Sequence, residues 1–134
     1  MRKFSAQFII TGTSDVLEKG IIVVNDDGTI TELIDTGGDL TEISSLEFYN
    51  GVIVPGFVNA HCHLELSHLN GVFPEKTTLP GFLEKVWQHR IDYEEVIVEA
   101  AQKADNEMWN NGISAVGDIS NNQLTFPVKT SSKI

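Results

Sequence analysis

Residues Gly51 to Gly71 read GVIVPGFVNAHCHLELSHLNG, and this stretch decides the fold. It holds three of the four histidines, the single cysteine and a carboxylate, all just downstream of a short apolar run. Val58 to His63 reads as a strand buried on both sides, of the kind found in parallel sheets flanked by helices. Side chains two apart along a strand point the same way, so His61 and His63 share one face while Cys62 points to the other. Two imidazoles side by side are half of a metal site.

Upstream of this stretch the pattern is β throughout. Phe4, Ala6, Phe8 and Ile10 alternate with Ser5, Gln7 and Ile9, which predicts a half-buried strand, and 11–15 reads as a turn. The runs 20–24 and 29–34 flank Asn25-Asp26-Asp27-Gly28, where Asp-Gly supplies the backbone geometry of a tight hairpin. A Gly-, Asp- and Thr-rich loop follows over 35–45, and 46–49 reads as a short closing strand. The expected organisation is an N-terminal β segment over 1–54 and a second domain over 55–134.

Downstream the character changes. Thr78 is placed to cap a helix carrying Phe82, Leu83, Val86 and Trp87. Asp92 with Glu95 resembles a capping box for a second helix, whose apolar face is Tyr93, Val96, Ile97, Ala100, Ala101, Ala104 and Met108. Gly112 sits where a glycine ends a helix. Residues 113–119 then read as another buried strand closed by Asp118, and 123–134 show no clear element. Strand, helices, strand is the pattern of a βα repeat, whose two parallel strands lie side by side in one sheet. Two parallel strands do not cover both faces and both edges of a sheet. The expectation is therefore the N-terminal piece of a longer protein, or a chain that completes its sheets as a homo-oligomer.

The bulk properties exclude several functions. A formal charge of −10, with nine Lys and Arg scattered through 134 residues, argues against a nucleic-acid partner. No apolar run approaches the length of a membrane span, and the basic start lacks the pattern of a cleaved leader. One cysteine allows no internal disulfide, which agrees with a reducing, cytoplasmic setting.

His61 and His63 lie at the carboxyl end of their strand, where ligands gather in barrels and open α/β folds, and neutral imidazole suits zinc or iron. A pair of strand histidines packing in a core is the plainer alternative. Cys62 is expected to pack among helices. Glu65 and His68, in the loop that follows, read either as substrate-side residues or as a solvated carboxylate and a surface imidazole. Asp118, at the matching end of the second strand, either lines the same cavity or caps the turn into Ser120. His89 and the Trp and Met positions read as structural.

The run from Pro55 to Glu65, PGFVNAHCHLE, resembles the first-strand signature of the amidohydrolase superfamily, in the branch of cytosine, guanine and aminodeoxyfutalosine deaminases and their chlorohydrolase relatives. The hairpin over 20–30 is similar to the β-sandwich strands that precede the barrel in these enzymes. The run over 65–71 most resembles the aminodeoxyfutalosine deaminase-like group. The resemblance implies an α/β chain made of N-terminal β-sandwich strands followed by the first two βα units of a truncated (β/α)8 barrel. It implies that His61 and His63 are the first two ligands of Zn²⁺ or Fe²⁺ at the mouth of the barrel, in an enzyme that acts on a small-molecule substrate. The superfamily's later metal ligands and proton-shuttling glutamate have no counterparts here, so no catalytic residue is expected within this chain. The implied reaction is hydrolysis of a non-peptide C–N bond, as in deamination of a purine-like or nucleoside-like compound. The alternatives are a chlorohydrolase or other amidohydrolase chemistry, or an inactive, self-associating module.

Overall fold

The computed structural model describes residues 1–13 and 15–134, so the turn expected over 11–15 includes a residue, Ser14, outside the described ones. The chain forms two compact units, Met1–Pro55 and Gly56–Ile134. Both together make a mixed, strand-rich α/β architecture.

The first unit is a five-stranded sheet centred on β1 (Arg2–Ile10). β2 (Val16–Glu18) and β3 (Ile21–Val24) pair antiparallel with its two halves, and β4 (Ile30–Ile34) extends the sheet beyond β3. β5 (Leu46–Ile53) pairs with β1 in parallel. The expected hairpin is present: Ile21 faces Ile34, and Gly28 takes φ +88° in the turn while its N–H donates to the Asn25 carbonyl. The reading of 46–49 as a short strand falls short, because β5 continues through Gly51 to Ile53 in register with β1. β2 carried no alternation long enough to be read.

The alternation predicted for β1 holds only in part. Ser5, Ala6 and Ile9 are buried, whereas Phe8 and Ile10 are exposed. The pairing of β1 with β5 slips between Ala6 and Phe8, and the slip shifts the phase of the side chains beyond it. Ile21 and Val23 from β3 complete the buried set.

In the second unit, β6 (Phe57–Cys62) pairs in parallel with β7 (Ile113–Asp118). A 3-10 helix (Leu64–Leu69), α1 (Leu79–His89) and α2 (Glu94–Asn110) lie between them in sequence. A last helix, α3 (Phe126–Ser131), occupies the stretch where no element was legible. The β6 strand is not buried on both sides: Phe57 is 58% and Val58 66% exposed, because among the described residues only one neighbouring strand covers it. Thr78 caps α1 as expected, its hydroxyl accepting from the Gly81 N–H, but α1 buries no residue and Trp87 is 74% exposed.

Asp92 does not form a capping box. The N-cap of α2 is Tyr93, and the Asp92 carboxylate instead accepts from the Tyr93 N–H at 2.7 Å. The face of α2 that is buried is Ile97, Ala101 and Asp105, spaced four apart along one side. Ala101 packs with Leu64 and Val128 into a core that Cys62, Val98, Ala104 and Met108 surround. Gly112, at φ +81°, ends α2 and turns the chain into β7. Gly117 permits the close strand pairing, since a Cβ there would stand 2.7 Å from the Ala60 carbonyl oxygen.

Candidate functional site

The carboxyl ends of β6 and β7 lie side by side, with Cys62 opposite Asp118. His61 projects from the last turn of the β6 pleat and is exposed, and His63 stands just past the strand at the start of the 3-10 helix. Their rings meet edge to face with centroids 5.1 Å apart. The intervening Cys62 packs against the Leu64, Ala101 and Val128 core. Burial pushes its thiol above the usual range and the nearby Asp118 carboxylate adds to that, so Cys62 holds its proton.

Three hydrogen bonds lock the exit of β6, Cys62 to Leu64, to the exit of β7, Asp118 and Ile119. The Ile119 N–H donates to the Cys62 carbonyl at 2.8 Å. His63 Nδ1 lies 2.9 Å from the Ile119 carbonyl oxygen. A carbonyl oxygen only accepts, so this contact forms when Nδ1 carries the proton, and the neutral ring then keeps its lone pair on Nε2. The Leu64 N–H donates to Asp118 Oδ1 at 2.7 Å. The other oxygen, Oδ2, accepts from the Ser120 hydroxyl at 2.9 Å and pairs with the Lys129 ammonium from α3. Lys129 Nζ also donates to Ser120 Oγ at 2.6 Å. Burial by itself pushes the Asp118 carboxyl up, but the bonds from Lys129, Leu64 and Ser120, with the Lys129 charge, outweigh it and hold the carboxyl below its usual range.

Glu65 is 4% exposed and fully engaged. Its Oε2 accepts from the Asn121 and Asn122 N–H groups at 2.8 and 3.3 Å, and its Oε1 from Asn121 Nδ2 at 2.6 Å. The carboxylate thus pins the loop after β7 onto the 3-10 helix. His68 lies on that helix between two carbonyls, with Nδ1 at 3.1 Å from Glu65 O and Nε2 at 3.4 Å from His89 O. His89 spends Nδ1 on the Lys85 carbonyl of its own helix, 2.9 Å away.

Of the five sequence-derived site residues, the fold brings His61, His63 and Asp118 to one end of the two-stranded sheet. Glu65 is tied to the adjoining loop and His68 to the end of α1. Sequence reading missed Ile119, Asn121 and Lys129, but it had Ser120 in the turn that Asp118 caps, and the Ser120 hydroxyl does donate to Asp118. Only Asn121-Asn122 gave a local signal, as turn-forming residues behind a strand. Among the described residues no three His, Cys, Asp or Glu side chains converge on a point that could hold a metal. The donor chemistry present is a pair of imidazoles, one of them oriented by its second nitrogen, which fits a divalent ion such as zinc as part of its ligand set. Among the described residues no helix is long and apolar enough to cross a membrane.

No family model matches the chain. It is 26% identical over 119 residues to a 5-methylthioadenosine/S-adenosylhomocysteine deaminase from Symbiobacterium thermophilum, a match covering 87% of this chain and 25% of that protein. Its fold is similar to that of Helicobacter pylori aminofutalosine deaminase in complex with methylthio-coformycin, with a TM-score of 0.76 and 22% identity over all of this chain and 33% of the other. A mutant of atrazine chlorohydrolase from Arthrobacter aurescens TC1, complexed with zinc and atraton, is likewise similar, with a TM-score of 0.73, 22% identity and coverage of 100% and 34%. The chain spans about a quarter of the length of the curated relatives it matches and about a third of these solved structures. Over the part of those proteins that it spans, the chain is thus similar in sequence to curated deaminases and in fold to solved deaminase and chlorohydrolase structures.

Proposed function

We propose that this chain carries the opening metal-ligand pair, His61 and His63, of a metal-dependent hydrolase that acts on a non-peptide C–N bond. On this reading Met1–Pro55 contributes strands of a small β-sandwich domain and Gly56–Ile134 the first two βα units of a (β/α)8 barrel. The carrying observation is the pair itself: two imidazoles in edge contact at the carboxyl end of β6, with His63 Nδ1 bound to a backbone carbonyl so that Nε2 is left to coordinate. His61 and His63 would hold a Zn²⁺ or Fe²⁺ ion there, and the ion would supply Lewis acidity to a water and to the substrate. The substrate class is a purine-like or nucleoside-like small molecule bearing an amino group, a reading supported by the curated deaminases that the chain matches. Dechlorination of a related heterocycle is the alternative chemistry.

What this chain's own residues do is hold the pair in place. Asp118, Ile119 and Lys129 fix the His63 segment from one side, and Glu65 fixes the loop that follows β7. Glu65, with both oxygens engaged, would face substrate only through the loop it holds, and His68 and Asp118 would stand at the margin of the pocket. Two imidazoles leave the coordination sphere unfinished, so the 134-residue chain by itself binds metal weakly and turns nothing over. Zn²⁺ titration of the purified chain tests the pair: binding that is lost in both His61→Ala and His63→Ala supports it, and binding indifferent to both overturns it. Ammonia release from 5-methylthioadenosine by this chain alone, abolished by His61→Ala, would show that the chain needs no further ligands.

A second reading, self-association into a homo-oligomer, is favoured by one observation. β6 and β7 each leave an edge unpaired among the described residues, and Phe57 and Val58 stand exposed beside them.

A further inference from the structure

The β7 exit does more than adjoin the histidine pair. Its side chains and backbone grip three consecutive residues: the Cys62 carbonyl accepts from Ile119 N–H, the His63 ring donates to Ile119 O, and the Leu64 N–H donates to Asp118 Oδ1. Ile119 is the residue after Asp118, and Leu64 the residue after His63, so the carboxylate and the carbonyl act on neighbouring groups of the same two short segments. The carboxylate is in turn held by Ser120 and by Lys129 on α3, two groups that also bond each other. These hydrogen bonds, joined through the backbone of 63–64 and 118–119, link α3 to the His63 imidazole.

Leu64 is 3% exposed and its N–H has the Asp118 carboxylate as acceptor, so withdrawal of Asp118 takes that partner away. The backbone at that point would then rotate to find another acceptor, and the attached His63 ring would lose its alignment with the Ile119 carbonyl. The Nδ1–H form would lose the bond that selects it over the Nε2–H form, in which the outward nitrogen carries a proton and cannot bind a cation.

We infer that Asp118, held by Lys129 and Ser120, is a positioning residue that selects the Nδ1–H tautomer of His63 and so keeps Nε2 free to ligate. The inference rests on the metal-pair reading for its purpose but not for its geometry. It assigns Asp118 to setting which nitrogen of His63 can ligate, in place of contact with substrate. The chemical partner it serves is a divalent cation approaching from the β6 side.

Proton–nitrogen correlation spectra of the imidazole rings, taken on the full 134-residue chain without metal at roughly pH 9, where free imidazole is neutral, read the tautomer directly. The expected spectrum of the unsubstituted chain has His63 protonated at Nδ1. In Asp118→Ala the Nδ1–H to Nε2–H ratio at His63 falls about tenfold, the change produced by losing one ordinary hydrogen bond, while His61 and His89 do not move. Lys129→Met shifts the ratio the same way by less, since Leu64 and Ser120 still hold the carboxylate. A role confined to stability would leave the tautomer of the folded fraction unchanged. The inference is overturned if His63 is protonated at Nε2 in the unsubstituted chain, or keeps Nδ1–H in Asp118→Ala with native Ala101 and Val128 amide signals. Should Asp118→Ala fail to fold, an unchanged ratio in both Lys129→Met and Ser120→Ala overturns it equally. Zn²⁺ added to the same samples separates the two readings: a His63 tautomer that depends on Asp118, with neither His61 nor His63 shifted by Zn²⁺, sinks the metal pair and leaves the tautomer selection standing.

Discussion

Replacing Asp118 by alanine removes the one carboxylate that ties β7, the start of the 3-10 helix and α3 together. The loss is dominated by the Leu64 N–H, a donor in a residue 3% exposed, whose orphaning costs about 1–3 kcal/mol. The Lys129 side chain is 31% exposed and turns to water once its partner is gone, so the ion pair adds only about 1 kcal/mol. The expected total is about 2–4 kcal/mol, a large fraction of the stability of a small unit. Both tryptophans, Trp87 and Trp109, lie in Gly56–Ile134, so tryptophan emission follows this unit alone through a urea titration. With a denaturant slope of about 1–2 kcal/mol per molar, the midpoint falls by roughly 2 M. Asp118→Asn, which keeps an acceptor for Leu64, falls by less than half as much. The pH dependence has a definite sign. A carboxyl held below its usual value of 3.8 in the folded state contributes its stability fully above that value and loses it as pH falls through the folded pKa. The unsubstituted chain therefore loses stability below about pH 4 more steeply than Asp118→Asn does. A midpoint for Asp118→Ala within experimental error of the parent, or an acid limb identical in Asp118→Asn, would refute the clamp.

Other substitutions test the remaining contacts. Glu65→Ala removes the acceptor of three N–H groups on Asn121 and Asn122 and should cost about 2–3 kcal/mol in the same urea assay. A carboxylate free to meet substrate would give no change. Gly117→Ala drives a methyl group to 2.7 Å from the Ala60 carbonyl oxygen and should destabilise the β6–β7 pair by about 1–3 kcal/mol, read as faster amide exchange across 58–62. Sedimentation velocity over a range of concentrations should show mass-action self-association of the parent chain, weakened in Val58→Lys at the exposed β6 face, and a sharp monomer at every concentration would exclude it.

The sequence by itself determined what depends on residues close together in the chain. The period of two at His61 and His63 predicts two imidazoles on one side, and the structure has them in edge contact although His63 stands just past the end of β6. The Asp27-Gly28 hairpin, the Thr78 cap and the Gly112 stop are likewise local, since each depends on the backbone geometry of two or three residues. Only the tertiary structure decided the remainder, because it rests on partners far apart in sequence. The phase of β1 follows from a slip in its pairing with β5, and α3, six residues with no readable periodicity, is held by Val128 in a core with Leu64 and Ala101. Asp118 reaches Leu64 across 54 residues, and Glu65 reaches Asn121 across 56. A carboxylate at a strand end reads the same in sequence whether it faces substrate or a backbone N–H. The choice is made by which donor the packed chain brings within hydrogen-bonding distance.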